Sequence, residues 1–287
     1  MMLQFDRRGG TVTLFATILL AGLCVPATAA DVSRIQPSLD EGFHLLYNLD
    51  FDGAHQVFRS WQQEHPDDSL GPVCDAAGIL FAEFHRLGVL EGQFYLDDRM
   101  FAARRKLNPD PAARNHFNAA LERAENRARL RLAQDPKDRD ALFAMTLSSG
   151  LKADYAALID KRNLASLHYT KVANNWANQL LAVDPGCYDA RVATGFTKYI
   201  VGSMSAPVRW IVRLGGVSGD KQAGIRQLQL TAEHGRYLGP YARILLAIAY
   251  VREKDKPHAR ELLASLRDEF PQNPLFAREI ARLDAGP

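Results

Sequence analysis

Small and apolar residues recur at one fixed spacing in front of four prolines. Ala54, Phe58 and Trp61 stand at offsets 0, 4 and 7, and Pro66 follows at offset 12. The same offsets carry Ala124, Ala128, Arg131 and Pro136, then Ala173, Ala177, Leu180 and Pro185, then Ala259, Leu263, Leu266 and Pro271. Positions 0, 4 and 7 share one face of an α-helix. An alanine there lets a neighbouring helix approach closely, and the bulkier residues fill the space beyond it. Proline at offset 12 cannot continue the helix, so it marks a turn into the next one. Arg131 departs from the apolar rule, and the seam there is expected to rotate onto Leu130 or Leu132.

Each of these helices has a partner before it. Gly42 lies twelve positions before Ala54, and Ala247 twelve before Ala259, with Leu246 and Tyr250 supplying apolar bulk around Ala247. The unit is an antiparallel helix pair closed by proline. Five units follow: 35–68, 69–137, 138–186, 187–239 and 240–274. The second is too long by about one repeat, and its excess is the insertion 91–112. The fourth carries a second insertion, 202–220. Insertions in repeat arrays map to loops on one face, often the binding face. "LDFDG" (49–53) starts like a calcium loop but lacks the closing Glu, and reads better as a turn with Asp52 capping the second helix.

The pattern resembles the tetratricopeptide repeat family. Its 34-residue hairpin has a small residue at the eighth position, Ala at the twentieth, an aromatic at the twenty-fourth and Pro at the thirty-second. Gly42, Ala54, Phe58 and Pro66 match it, as do Leu246, Ala247, Tyr250, Ala259 and Pro271; the middle units are degenerate. The resemblance implies an all-α, right-handed superhelix (an α-solenoid) of about five hairpins, with a curved inner face used to hold a protein or peptide. A narrower stretch, with Gly195, Ser203, Pro207, Gly216, Ser218, Gly219, Asp220 and Gly224 in order, resembles the tetratricopeptide family thirty-nine and inclusion-body-clearance group. That group implies protein inclusions and lipid droplets, and no enzymatic activity.

The first thirty residues stand apart. Arg7 and Arg8 precede the apolar run 12–23, and "PATAA" (26–30) offers small residues for cleavage, the layout of a signal peptide. The expectation is one repeat domain, 31–287, exported to the periplasm or secreted from a bacterial cell. Export leaves Cys74 and Cys187, either bonded to each other or buried as separate thiols. Apolar content of 47% and charged content of 24% are globular values. A net charge of +2 supplies no basic excess for a nucleic-acid partner.

Candidate chemistry is sparse. The family's carboxylate clamp of Lys, Arg and Asn is replaced at the groove positions by Leu39 and Phe43 in the first unit and by Ile244 and Ile248 in the last. A groove so lined prefers apolar ligand surface or is filled by the chain itself. Arg209 and Arg213 lie one helical turn apart beside Trp210, an amphipathic pattern that also fits a membrane surface or a cover over the inside of the array. Arg123, Arg127 and Arg131 make a basic stripe that reads as a solvated face or as a site for RNA or an acidic partner. No HExxH, no G-x-S-x-G and no phosphate loop occurs. Neither a cofactor nor a metal is expected. The expected function is a non-catalytic scaffold for a protein or peptide partner in the cell envelope; the alternative is a peripheral lipid-binding protein acting through 202–220.

Overall fold

The computed structural model describes residues 38–90, 107–206, 210 and 218–285. Within them the chain is all-helical, with eleven α-helices and no strand. These are α1 (Leu39–Tyr47), α2 (Phe51–Glu64), α3 (Leu70–Arg86), α4 (Pro111–Gln134), α5 (Arg139–Asp154) and α6 (Asn163–Val183). They continue as α7 (Arg191–Ser203), α8 (Lys221–His234), α9 (Gly239–Arg252), α10 (Lys256–Glu269) and α11 (Pro274–Asp284). Each packs on the next in order, and α3 also packs on α1 and on α5.

The four prolines make one recurring joint. In each, the residue before proline ends a helix by donating its N–H to a carbonyl four residues back: His65 to Trp61, Asp135 to Arg131, Asp184 to Leu180 and Phe270 to Leu266, at 2.7–2.8 Å. The carbonyl of that same residue then accepts from an N–H three residues on, at Asp68, Asp138, Cys187 and Asn273. Proline thus occupies the second position of a four-residue turn, where its fixed φ is already correct and its missing N–H is not needed. Asp138 and Asn273 go on to cap the following helices.

A second joint closes the pairs. After α1, α3 and α9 the chain takes the same hydrogen-bond pattern around one residue of positive φ: Leu49 (64°), Gly88 (70°) and Lys254 (63°). This is the left-handed C-terminal cap, which satisfies the last helical carbonyls. Asp50 and Asp255 then cap α2 and α10. The cap of α2 is therefore Asp50, which accepts from Gly53 N–H at 2.9 Å, rather than Asp52 in the first turn. After Gly88 the next helix among the described residues begins at Pro111. Glu83 pins the returning chain, accepting from Asp110 N–H at 2.8 Å while Arg86 donates to Asn108 O at 3.1 Å. Residues 91–106 of the first insertion lie outside the described residues.

The seam alanines are buried: Ala54, Ala124, Ala128, Ala177 and Ala259 are fully inaccessible and Ala173 nearly so. Gly42 gives way to the Phe58 ring, which would collide with any Cβ placed there. At position 131 the seam keeps its arginine. Arg131 reaches over to Asp138 with N···O distances of 2.7 and 2.8 Å, joining one helix to the cap of the next. Leu132 packs beside the core, whereas Leu130 is exposed. Gly195 and Gly224 put α7 and α8 backbone to backbone: a Cβ on Gly224 would lie 2.7 Å from Gly195 O. That crossing is the structural use of two of the glycines in the 193–263 stretch. Cys74 and Cys187 are both free thiols.

The succession of helices returns on itself. Tyr47 Oη donates to Tyr237 O at 2.9 Å, and Asn273 Nδ2 donates to Tyr47 O at 2.8 Å. Gln272 N–H donates to Asn48 Oδ1 at 3.2 Å, and Arg236 forms a two-point ion pair with Asp40. The rings of Phe43 and Tyr237 stack 5.1 Å apart. The first helix is thereby fixed to the last pair across about 190–226 residues of sequence.

Candidate functional site

Because α1 meets the region around α9, helices from both ends of the succession wall one space on their inner side. Most of it is filled. What remains is a semi-enclosed cavity of about 130 Å³. Its walls come from α1 (Phe43, Leu46), α3 (Ala77, Phe81), α5 (Leu147, Gly150, Leu151), α6 (Ala173), α7 (Val192, Phe196) and α9 (Tyr241, Leu245). A second concavity, of about 310 Å³, is an open surface recess lined only by consecutive residues 161–165. The smaller space carries the argument, since six helices converge on it.

Few polar groups face this apolar cavity, and most are already bound. Tyr47 gives its hydroxyl proton to Tyr237 O, and burial raises its pKa far beyond the usual phenol range. The Thr146 hydroxyl donates to Leu142 O at 2.9 Å. That of Thr197 donates to Ala193 O and accepts from Asn174 Nδ2. Asp189, in the short turn Tyr188–Ala190, accepts the backbone N–H groups of Arg236, Tyr237 and Leu238. Burial pushes its carboxyl up, and these three N–H groups pull it back toward the ionised form. Asp189 thus holds the 235–238 turn against the start of α7, and its charge is spent on that task.

Asp154 is different. It is the last residue of α5 and lines the cavity. Leu147, Gly150, Leu151 and Asp154 share one helical face, so a carboxylate ends a row of apolar wall residues. No hydrogen bond or ion pair reaches it among the described residues. Burial alone pushes its carboxyl up to about 7 from an ordinary 3.8. The side chain keeps some accessible surface, and a cavity-lining position reconciles that with its depth: it faces the semi-enclosed space. The helix changes character at the same point. Residues Tyr155–Ile159 form a π turn, in which carbonyls accept from five residues on, a rare feature that concentrates at functional sites.

The residues singled out from the sequence do not gather into one site. Phe43 is 5% exposed and lines the cavity. Ile244 and Ile248 lie on α9, half-buried and outside the cavity wall. Trp210 is 64% exposed; Arg209 and Arg213 lie outside the described residues. Of the basic stripe, Arg127 donates to Asp68 O and Arg131 pairs with Asp138, so two of its members tie units together. Among the described residues no cluster of three His, Cys, Asp or Glu side chains could hold a metal ion, and no helix is long and apolar enough to cross a membrane. Sequence reasoning missed Asp154 and Gly150. A trace was legible: one acid closing an apolar i, i+3, i+4, i+7 face.

No protein-family model matches this chain, and no curated protein matches it.

Proposed function

We propose that the protein is an exported, tetratricopeptide-like array of five helical hairpins, capped by α11, that binds rather than transforms its ligand. Its inner face receives a small apolar molecule. The observation that carries this reading is the cavity shared by six helices, apolar on nearly every side. Preformed, mainly apolar concavities with few convergent polar groups are where proteins hold small ligands. The inward-facing Phe43 supports the same reading, because it is buried against Tyr237 rather than presented to a peptide. A stacked, repeat-like course is in keeping with the α1–α3 and α3–α5 contacts between alternate helices.

The test is to purify the mature chain from the cell envelope, unfold it, extract it with organic solvent and identify what is released. About one apolar small molecule per chain supports the reading. A chain released empty, with a stoichiometric envelope protein captured on the intact fold, would replace it with a protein scaffold. The exposed Trp210 supports a second reading, contact with a membrane surface. Co-flotation with liposomes, lost on Trp210→Asp, would establish it.

A further inference from the structure

Asp154 raises a question that packing does not answer. A carboxylate facing an apolar space without a partner is costly, and folded proteins give such groups a cation or donors. Bases on the same and the adjoining helix are engaged elsewhere. Lys152, two residues earlier, pairs with Glu125 on α4. Arg114 makes a two-point pair with Asp160 at 3.1 Å and lies over the Tyr155 ring. The other carboxylate of the wall, Asp189, is saturated by backbone N–H groups. Among the described residues, Asp154 is therefore the one anionic group of the wall left for something from outside.

The space beside it has a definite size. About 130 Å³ is close to the dry apolar cavities that take up a benzene ring. Gly150, one helical turn before Asp154, enlarges it: a Cβ there would meet no atom within 4 Å. The walls offer rings and aliphatic side chains, among them Phe81, Phe196, Leu151 and Leu245.

We propose that this cavity is a receptor site for a small amine: a molecule joining a single-ring-sized apolar body to one ammonium group, with the ammonium against Asp154. The inference rests on the reading of the cavity as a ligand site and names the class of ligand. The apolar body replaces empty space with dispersion contacts. The ammonium supplies the counter-charge that the fold withholds, forming a charge-assisted hydrogen bond in a low-dielectric setting. An apolar molecule of the same shape gains only the first of these. An anion of the same shape meets an unscreened like charge.

Benzylamine, toluene and benzoate separate these contributions because they share one ring and differ in the head. Each is titrated into the full mature chain at about pH 8 by calorimetry, with the melting temperature read in parallel. The expected result is one benzylamine per chain, bound at least about tenfold more tightly than toluene, with benzoate unbound. Asp154→Asn should bring benzylamine down to the level of toluene while leaving toluene unchanged. Gly150→Leu, which fills the cavity from a helix position that accepts leucine, should abolish both. Toluene bound and benzylamine no tighter would overturn the amine and leave the cavity reading standing. Benzoate bound more tightly than benzylamine would also overturn it, assigning Asp154 as a proton donor. No binding of any of the three would sink both readings. Benzylamine bound equally by wild type and Gly150→Leu would place the amine elsewhere and overturn the proposal. The comparison of three probes on the wild-type chain decides the matter even where a variant fails to fold.

Discussion

The outer pairs, α1/α2 and α9/α10, and the central helices α5 to α8 are built by different rules. The outer pairs obey the repeat closely. Each turns through a left-handed residue, Leu49 or Lys254, into an aspartate cap. Each ends in the same proline turn, and small residues let the paired helices touch. The centre departs from it. Helix α5 passes through a π turn before it reaches its left-handed residue, Lys161 (56°), α6 is 21 residues long, and α7 meets α8 through facing glycines. Where the repeat is regular, small residues let the paired helices interlock. The inner side keeps a cavity where these pairs meet the irregular centre, walled by α1 and α9 as well as by α3, α5, α6 and α7. Regular pairs supply the frame, and the irregular centre supplies the carboxylate.

That contrast can be broken at several points. The largest effect is expected in the outer pairs. Phe58 is fully buried and packs over Gly42, so Phe58→Ala should cost about 3–5 kcal/mol of unfolding free energy, read from denaturant melts. A cost below about 1 kcal/mol would mean that the first pair is not part of the cooperative frame.

In the centre the opposite sign is expected. The Asp154 carboxyl is raised to about 7 in the fold, so the native state holds this proton more tightly than the unfolded chain. Its contribution is fully present below the unfolded value near 4 and is lost as pH rises through about 7. Asp154→Asn removes that loss. The variant should gain up to about 4 kcal/mol over wild type at about pH 8, taking roughly 1.4 kcal/mol per pKa unit, and nothing at about pH 4. Equal stability of the two proteins at both pH values would show that Asp154 is solvated.

The seam between frame and centre comes next. Asp189 holds three backbone N–H groups of the 236–238 turn, and Asp189→Ala leaves them unpaired, that of Tyr237 in a buried setting. A loss of about 1–3 kcal/mol is expected, with faster hydrogen exchange at Tyr237 and Leu238. The smallest effect sharpens the likeness of the two outer pairs. Leu49→Gly and Lys254→Gly each relieve a left-handed side-chain residue. Both should shift stability by at most about 1 kcal/mol, and in the same direction. Shifts of opposite sign would show that the two turns are alike only in outline.

Legibility in the sequence follows the same division. The helix pairs, their boundaries at the four prolines and the buried alanines were readable, because a periodic face and a proline act within a dozen residues. The exception at Arg131 was visible, but its remedy was not: an ion pair to Asp138 depends on where the next helix cap stands. Phe43 stood out, yet its ring on Tyr237 joins residues almost two hundred positions apart. Asp154 passed unnoticed, since a lone acid on a helix usually faces water, and only the enclosure of its surroundings makes it unusual.

By itself the sequence determined an all-helical chain and the punctuation of its pairs, for these depend on local spacing, capping and the geometry of proline. Tertiary structure alone decided that the first helix closes against the last pair, and that closure turns an inner face into a walled space. An unpartnered carboxylate acquires meaning only once apolar walls stand around it, and those walls are a property of six helices together, carried by no single stretch of chain.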